Sequence, residues 1–146
     1  MSGAEFRRFK HNDMADLEHR LEQVPAGVSR MVIADSVFSM DGDVIDLPKV
    51  VELCRKHDAW LMIDEAHSVG VLGKTGTGIE EHFGLGDVID IKMGTLSKTI
   101  PSVGGYVAAR KELIQYLRHA SRAYIFSAAL PPAQAAAANE AFKVIL

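Results

Sequence analysis

The sequence predicts an α/β fold, a mostly parallel sheet with helices on both faces. Three observations carry that prediction. Short apolar runs with β-branched residues recur at 31–36 and 59–64. Segments with helical apolar spacing lie before and between them. The resulting order, strand–helix–strand, gives a parallel pair through a right-handed crossover.

From Asp13 onward, Met14, Leu17, Leu21 and Val24 follow a helical spacing, and "VPAG" ends the helix. "MVIADS" (31–36) reads as a buried strand. Asp46 can cap a helix whose Leu47, Val50, Val51 and Cys54 fall at i, i+3, i+4 and i+7, with Pro48 in its tolerated first turn. "AWLMID" (59–64) is the next strand, "DVIDIKMG" (87–94) a third and "VGGYVAA" (103–109) a fourth. Helices are expected over 110–120 and from Pro132 to the end, the latter through an alanine-rich run. In sheets of this class ligands gather at the carboxyl ends of the strands. Asp35, Asp64 and the segment after Met93 fall there.

The 146 residues suit one domain, and 48% hydrophobic with 24% charged residues argues against disorder. A net charge of −3 without a long basic run suggests neither nucleic acid nor an anionic membrane as a partner. No apolar stretch approaches the ~20 residues of a membrane span, and "MSGAEFRRFK" lacks the apolar core of a signal peptide. Cys54 is alone, which excludes an internal disulfide or a cysteine-based zinc cluster, so no metal is assigned and a cytoplasmic setting is expected. Both ends look cut, and an internal piece of a longer chain is expected.

The stretch "LMIDEAHSVGVLGKTGTG" has the look of an acidic, magnesium-binding strand followed by a phosphate loop. Such a loop needs G-x-x-x-x-G-K-[ST], because successive N–H groups wrap the phosphates. Counting back from Gly73, the first glycine belongs at 68, where Ser68 stands. The order is also the reverse of the usual one, with the acidic strand first.

A second constellation has better support. Asp64 ends a strand, His67 follows three residues on, and Lys98 sits after another strand in "GTLSKTIPSVGGY" (94–106). A lysine at the edge of a core can act as an amine nucleophile toward aldehydes. Thr95 and Ser97 offer hydroxyls to an anion such as phosphate. Pyridoxal phosphate needs that set: a lysine for its aldehyde, a carboxylate for its ring nitrogen and an anchor for its phosphate. Each element alone is weak, since loop lysines are commonly solvated; in this order they are much more specific.

The blocks "FRRFKHNDMADLEHRL", "SVFSMDGDVIDLPKV", "LMIDEAHSVGVLGKTGTGIEEHFG", "GTLSKTIPSVGGY" and "RAYIFSAALPPA" closely resemble the α-oxoamine synthase family, which includes serine palmitoyltransferase, aminooxononanoate synthase and 2-amino-3-ketobutyrate ligase. "YIFSAALPP" is most similar to the serine palmitoyltransferase-like members. The resemblance implies part of the large domain of a fold-type I (aspartate aminotransferase-like) pyridoxal phosphate enzyme. Residues 1–146 would be a partial cofactor-binding domain, with an N-terminal part and a C-terminal small domain outside it. Members condense an amino acid, here serine, glycine or alanine, with an acyl thioester of coenzyme A or acyl carrier protein. Most lose carbon dioxide and release an α-amino ketone.

Carried over by resemblance, Lys98 would hold the cofactor as a Schiff base and shuttle the substrate's α-proton. Asp64 would pair with the ring nitrogen, and His67 with the phenolic oxygen. Ser39 in "VFSMDG" would contact the cofactor and Thr95 its phosphate. Ser127 in "YIFSA" would reach the phosphate of the neighbouring subunit, implying a homodimer. Plainer readings stand beside these: an interior histidine, a turn-capping Ser39, a strand-closing Thr95 and a Ser127 that precedes a helix. His11 in "HND" resembles a family signature, although an N-cap explains Asn12 and Asp13. Thr77, and Thr99, Ile100 and Pro101 after the lysine, depart from the family pattern near the acyl channel that the resemblance implies. An aminotransferase of the same fold and a non-catalytic scaffold subunit are the alternatives.

Overall fold

A computed structural model describes residues 3–145. The first helix, α1 (Met14–Glu22), starts where Asp13 accepts the Asp16 N–H at 2.9 Å, and it buries Leu17 and Leu21. Strand β1 (Arg30–Asp35) leads to α2 (Leu47–Lys56), which Asp46 caps by accepting the Lys49 N–H at 3.1 Å. Strand β2 (Ala59–Asp64), the short α3 (Ile79–Phe83), β3 (Ile91–Thr95) and β4 (Gly105–Ala109) follow. The last elements are α4 (Lys111–Ala120), α5 (Arg122–Phe126) and α6 (Pro132–Ile145). The expected final residue of that last helix, Leu146, lies outside the described residues.

The strands form one sheet in the order β1-β2-β3-β4. The first three run parallel, and β4 returns antiparallel to β3. The connection over 96–104 explains that reversal, because a parallel crossover takes a dozen or more residues. This is the mostly parallel sheet with helices that the element order predicts. Val32, Ala34, Leu61 and Ile63 point toward α1 and α2, where they meet Val50, Leu53 and Cys54 in the main core. Alternate residues Met31, Ile33 and Trp60 point the other way and are exposed. Ile45, Leu47, Val50, Leu53, Leu61, Ile63 and Ile79 are almost fully buried, each worth roughly 1.5–3 kcal/mol of transfer free energy. Among the described residues no helix is long and apolar enough to cross a membrane.

The third strand begins later than the sequence suggests, at Ile91 rather than at Asp87. Side chains intercept the preceding residues. The Glu80 carboxylate takes the N–H groups of Val88 and Ile89 at 2.8 and 3.0 Å, and Asp90 ties back to Leu61 N–H at 2.8 Å. The five-residue helices α3 and α5 carry no periodic signal in the sequence. α3 starts at Gly78, which offers no side-chain cap; its first N–H is instead satisfied by Glu65, fourteen residues upstream.

Candidate active site

Parallel pairing puts Asp35 opposite Asp64, and Asp64 opposite Met93, so the carboxyl ends of β1, β2 and β3 share one edge. Asp64 is half-buried, and its Oδ1 accepts the Ala66 N–H at 2.8 Å, a local bond that fixes the carboxylate's direction. His67 lies on the turn that follows. Lys98 lies on the loop after β3, where Leu96 and Ile100 are buried on either side of it against α6 while the lysine itself is exposed. The loop is also tied to α6 by Ser102 Oγ, which donates to the Gln134 carbonyl at 2.8 Å.

His67 Nε2 and Lys98 Nζ meet at 2.8 Å. One nitrogen must donate and the other accept, so the line between them holds a single proton. Thr95 ends β3, and its hydroxyl lies 2.8 Å from Ser97 Oγ and 3.3 Å from the Gly104 carbonyl. Asp64, His67, Thr95 and Lys98 therefore gather at one edge. Ser39 is exposed on the turn after β1 and Ser127 is exposed at the C-cap of α5, and neither side chain makes a hydrogen bond among the described residues.

Two acidic residues that the sequence alone gives no role bear on the site, Asp35 at its edge and Glu65 beneath it. Burial, and then the neighbouring charge of Asp64, push the Asp35 carboxyl above its usual range, while His67 and Lys98 pull it back. All three groups thus act on Asp35 across the strand edge. The sequence shows only that "MVIAD" and "WLMID" end alike; the register that sets Asp35 beside Asp64 comes from the fold. Glu65, beside Asp64, is only 4% exposed, and burial raises its carboxyl above the ordinary value. No sequence pattern marks it as interior.

The "GKTGTG" loop is closed on the chain's own acid. Glu81 accepts the N–H and hydroxyl of Thr75, both at 3.0 Å, and those of Thr77 at 3.2 and 2.9 Å. Donors that a phosphate would need are already engaged, which removes the nucleotide-loop reading. The "HND" block has a structural task. Asn12 donates to Asp43 and to the Val44 carbonyl, and His11 Nε2 lies 3.0 Å from Asp43. Cys54 is buried, and its thiol is pushed up to about 12 by desolvation and the nearby Asp90, so it is no nucleophile.

An accessible amine touching an imidazole, beside a half-buried carboxylate and strand-end hydroxyls, can bind a carbonyl compound covalently and move protons next to it. Known proteins share both sequence and shape with this chain. A serine palmitoyltransferase of Bacteroides thetaiotaomicron is 49% identical over 138 residues, which is 94% of this chain and 35% of that protein. An 8-amino-7-oxononanoate synthase of Thermoanaerobacter pseudethanolicus is 49% identical over 146 residues, 99% of this chain and 37% of that protein. A solved structure described as SPT with PLP internal aldimine superposes with a TM-score of 0.93 at 39% identity, covering 97% of this chain and 36% of that one. The chain thus spans little more than a third of the length of these relatives. Residues 1–145 match the description "Aminotransferase class I and II", and the chain belongs to that family.

Proposed function

We propose that this chain is the lysine-bearing part of a pyridoxal phosphate-dependent α-oxoamine synthase, which joins an amino acid to an acyl thioester. The observation that carries the reading is the 2.8 Å contact between Lys98 Nζ and His67 Nε2 at the edge where Asp64 ends its strand. The donor set fits the cofactor: a primary amine open to solvent, a carboxylate for a protonated ring nitrogen, an imidazole, and hydroxyls for a phosphate. When bound, pyridoxal phosphate supplies an aldehyde that takes up an amine and a ring that accepts electrons from the substrate's α-carbon.

The chain's own residues divide the remaining work. Lys98 would hold the group and move the proton at the α-carbon. His67, already within hydrogen-bond reach of that amine, would take or return the amine's proton and contact the phenolic oxygen. Asp64, with its direction set by Ala66 N–H, would keep a proton on the ring nitrogen. Thr95 would hold the phosphate, Ser39 would contact the cofactor, and Ser127 would serve the neighbouring subunit's phosphate in a homodimer. The substrates would be serine, glycine or alanine with an acyl thioester of coenzyme A or acyl carrier protein. Residues 1–146 would form part of the cofactor-binding large domain.

A decisive test adds pyridoxal phosphate to the full-length protein, follows visible absorbance, reduces with borohydride and maps the labelled peptide. Label on Lys98 is expected; label on another lysine defeats the assignment. The family also contains aminotransferases, and that reading is separated by product: an α-amino ketone in the presence of an acyl thioester, against a keto acid.

A further inference from the structure

We infer that Glu65 is a positioning residue: by joining the turn after β2 to the start of α3, its buried carboxyl holds His67 against Lys98. The inference rests on the cofactor reading above and goes beyond it, because no step there uses Glu65.

The turn from Asp64 to Ser68 is two-sided. Asp64 and His67, three residues apart, are half-buried at the site edge. Glu65 and Ser68, also three apart, are 4% and 0% exposed and face the interior. Glu65 is held through both its backbone and its side chain. Its N–H donates to the Met93 carbonyl at 2.7 Å, which ties it to β3. Its Oε1 accepts the Ile79 N–H at 2.9 Å, the first helical donor of α3, and lies 3.4 Å from Ser68 Oγ.

Ser68 continues the chain of polar contacts. Its Oγ is 2.9 Å from that of Ser36, which is itself fully buried and lies 2.8 Å from the Asp64 carbonyl. Ser36, just past β1, thereby links the Asp64 carbonyl to Ser68 beneath the turn that carries His67. Gly78 shows how closely the parts fit, since a Cβ there would come within 2.4 Å of Glu65 Oε1.

An apolar side chain would fill the same space at lower desolvation cost. It would leave the Ile79 N–H unpaired and free the turn to shift against α3. The site tolerates little shift, because a displacement of about 1 Å can cost on the order of 100-fold in rate. Glu65 touches neither Lys98 nor the reacting groups, so its effect passes through His67.

The test uses the full-length protein loaded with pyridoxal phosphate, and compares wild type, Glu65→Ala, Glu65→Gln and Ser68→Ala. Readouts are the visible band of the bound cofactor, kcat and KM for the amino acid, and the unfolding midpoint. Glu65→Ala is expected to move the band and lower kcat by roughly 10- to 100-fold, with KM within about threefold. Glu65→Gln keeps an amide oxygen for the Ile79 N–H and should restore most of the loss. Should the alanine variant fail to fold, Ser68→Ala is the milder cut and should lower kcat by several-fold. Wild-type band and kcat in the folded variants, with only a lower unfolding midpoint, overturn the inference, as does a glutamine variant no better than alanine. A wild-type protein that shows no cofactor band sinks the cofactor reading itself, a result distinct from an indifferent Glu65.

Discussion

Gly78→Ala tests whether the interior beneath the site is as closely fitted as the structure shows. Gly78 has φ 115° and ψ −159°, a backbone region that is essentially reserved for glycine. Holding alanine there costs about 1–3 kcal/mol. The new Cβ would also meet Glu65 Oε1 at 2.4 Å and Cδ at 3.0 Å. That carboxyl cannot swing aside cheaply, because it is buried and bonded to the Ile79 N–H. Overpacking of this kind adds roughly 1–3 kcal/mol. Together the two costs reach about 2–6 kcal/mol, against a total stability of the order of 5–15 kcal/mol. Urea unfolding of the full-length wild type, Gly78→Ala, Glu65→Ala and the double variant separates them. Without the carboxyl the clash disappears and only the backbone cost remains, so the cycle should show a coupling of about 1–3 kcal/mol. Strict additivity would refute the reasoning.

Two other outcomes follow from the same geometry. Leu53 is completely buried between α2 and the sheet, and Leu53→Ala should cost about 2–5 kcal/mol in urea unfolding; a loss under about 1 kcal/mol would mean the core collapses around the gap. Burial and the charge of Asp64 raise the Asp35 carboxyl, so its contribution to stability is complete below the unfolded value of about 3.9 and is lost as pH rises through the higher folded value. Asp35→Asn should remove that decline, making stability flatter with pH across this window than in wild type; identical pH profiles would count against it.

Much of the architecture was legible because it depends on local pattern. The spacing of Leu47, Val50, Val51 and Cys54 and the cap at Asp46 placed α2, and the apolar runs at 31–36 and 59–64 placed β1 and β2 to within a residue. The later start of β3 and the presence of α3 were hidden for a shared reason. Backbone groups at 79 and 88–89 are satisfied by Glu65 and Glu80, residues far along the chain. Position-specific signals such as caps work only when the partner is a neighbour in sequence.

By itself, the order of residues determined the alternation of strand and helix, the set of residue types able to serve pyridoxal phosphate, and the failure of "GKT" as a phosphate loop. Periodicity, capping and motif spacing are properties of a stretch of chain, and they survive without knowledge of the rest. Tertiary structure decided the partners: Lys98 against His67 across thirty-one residues, Asp35 level with Asp64, Glu81 inside the glycine loop, and Glu65 beneath the site. A charge's role depends on what surrounds it within a few ångströms. Only the folded chain sets those surroundings, because burial and proximity arise when distant segments meet.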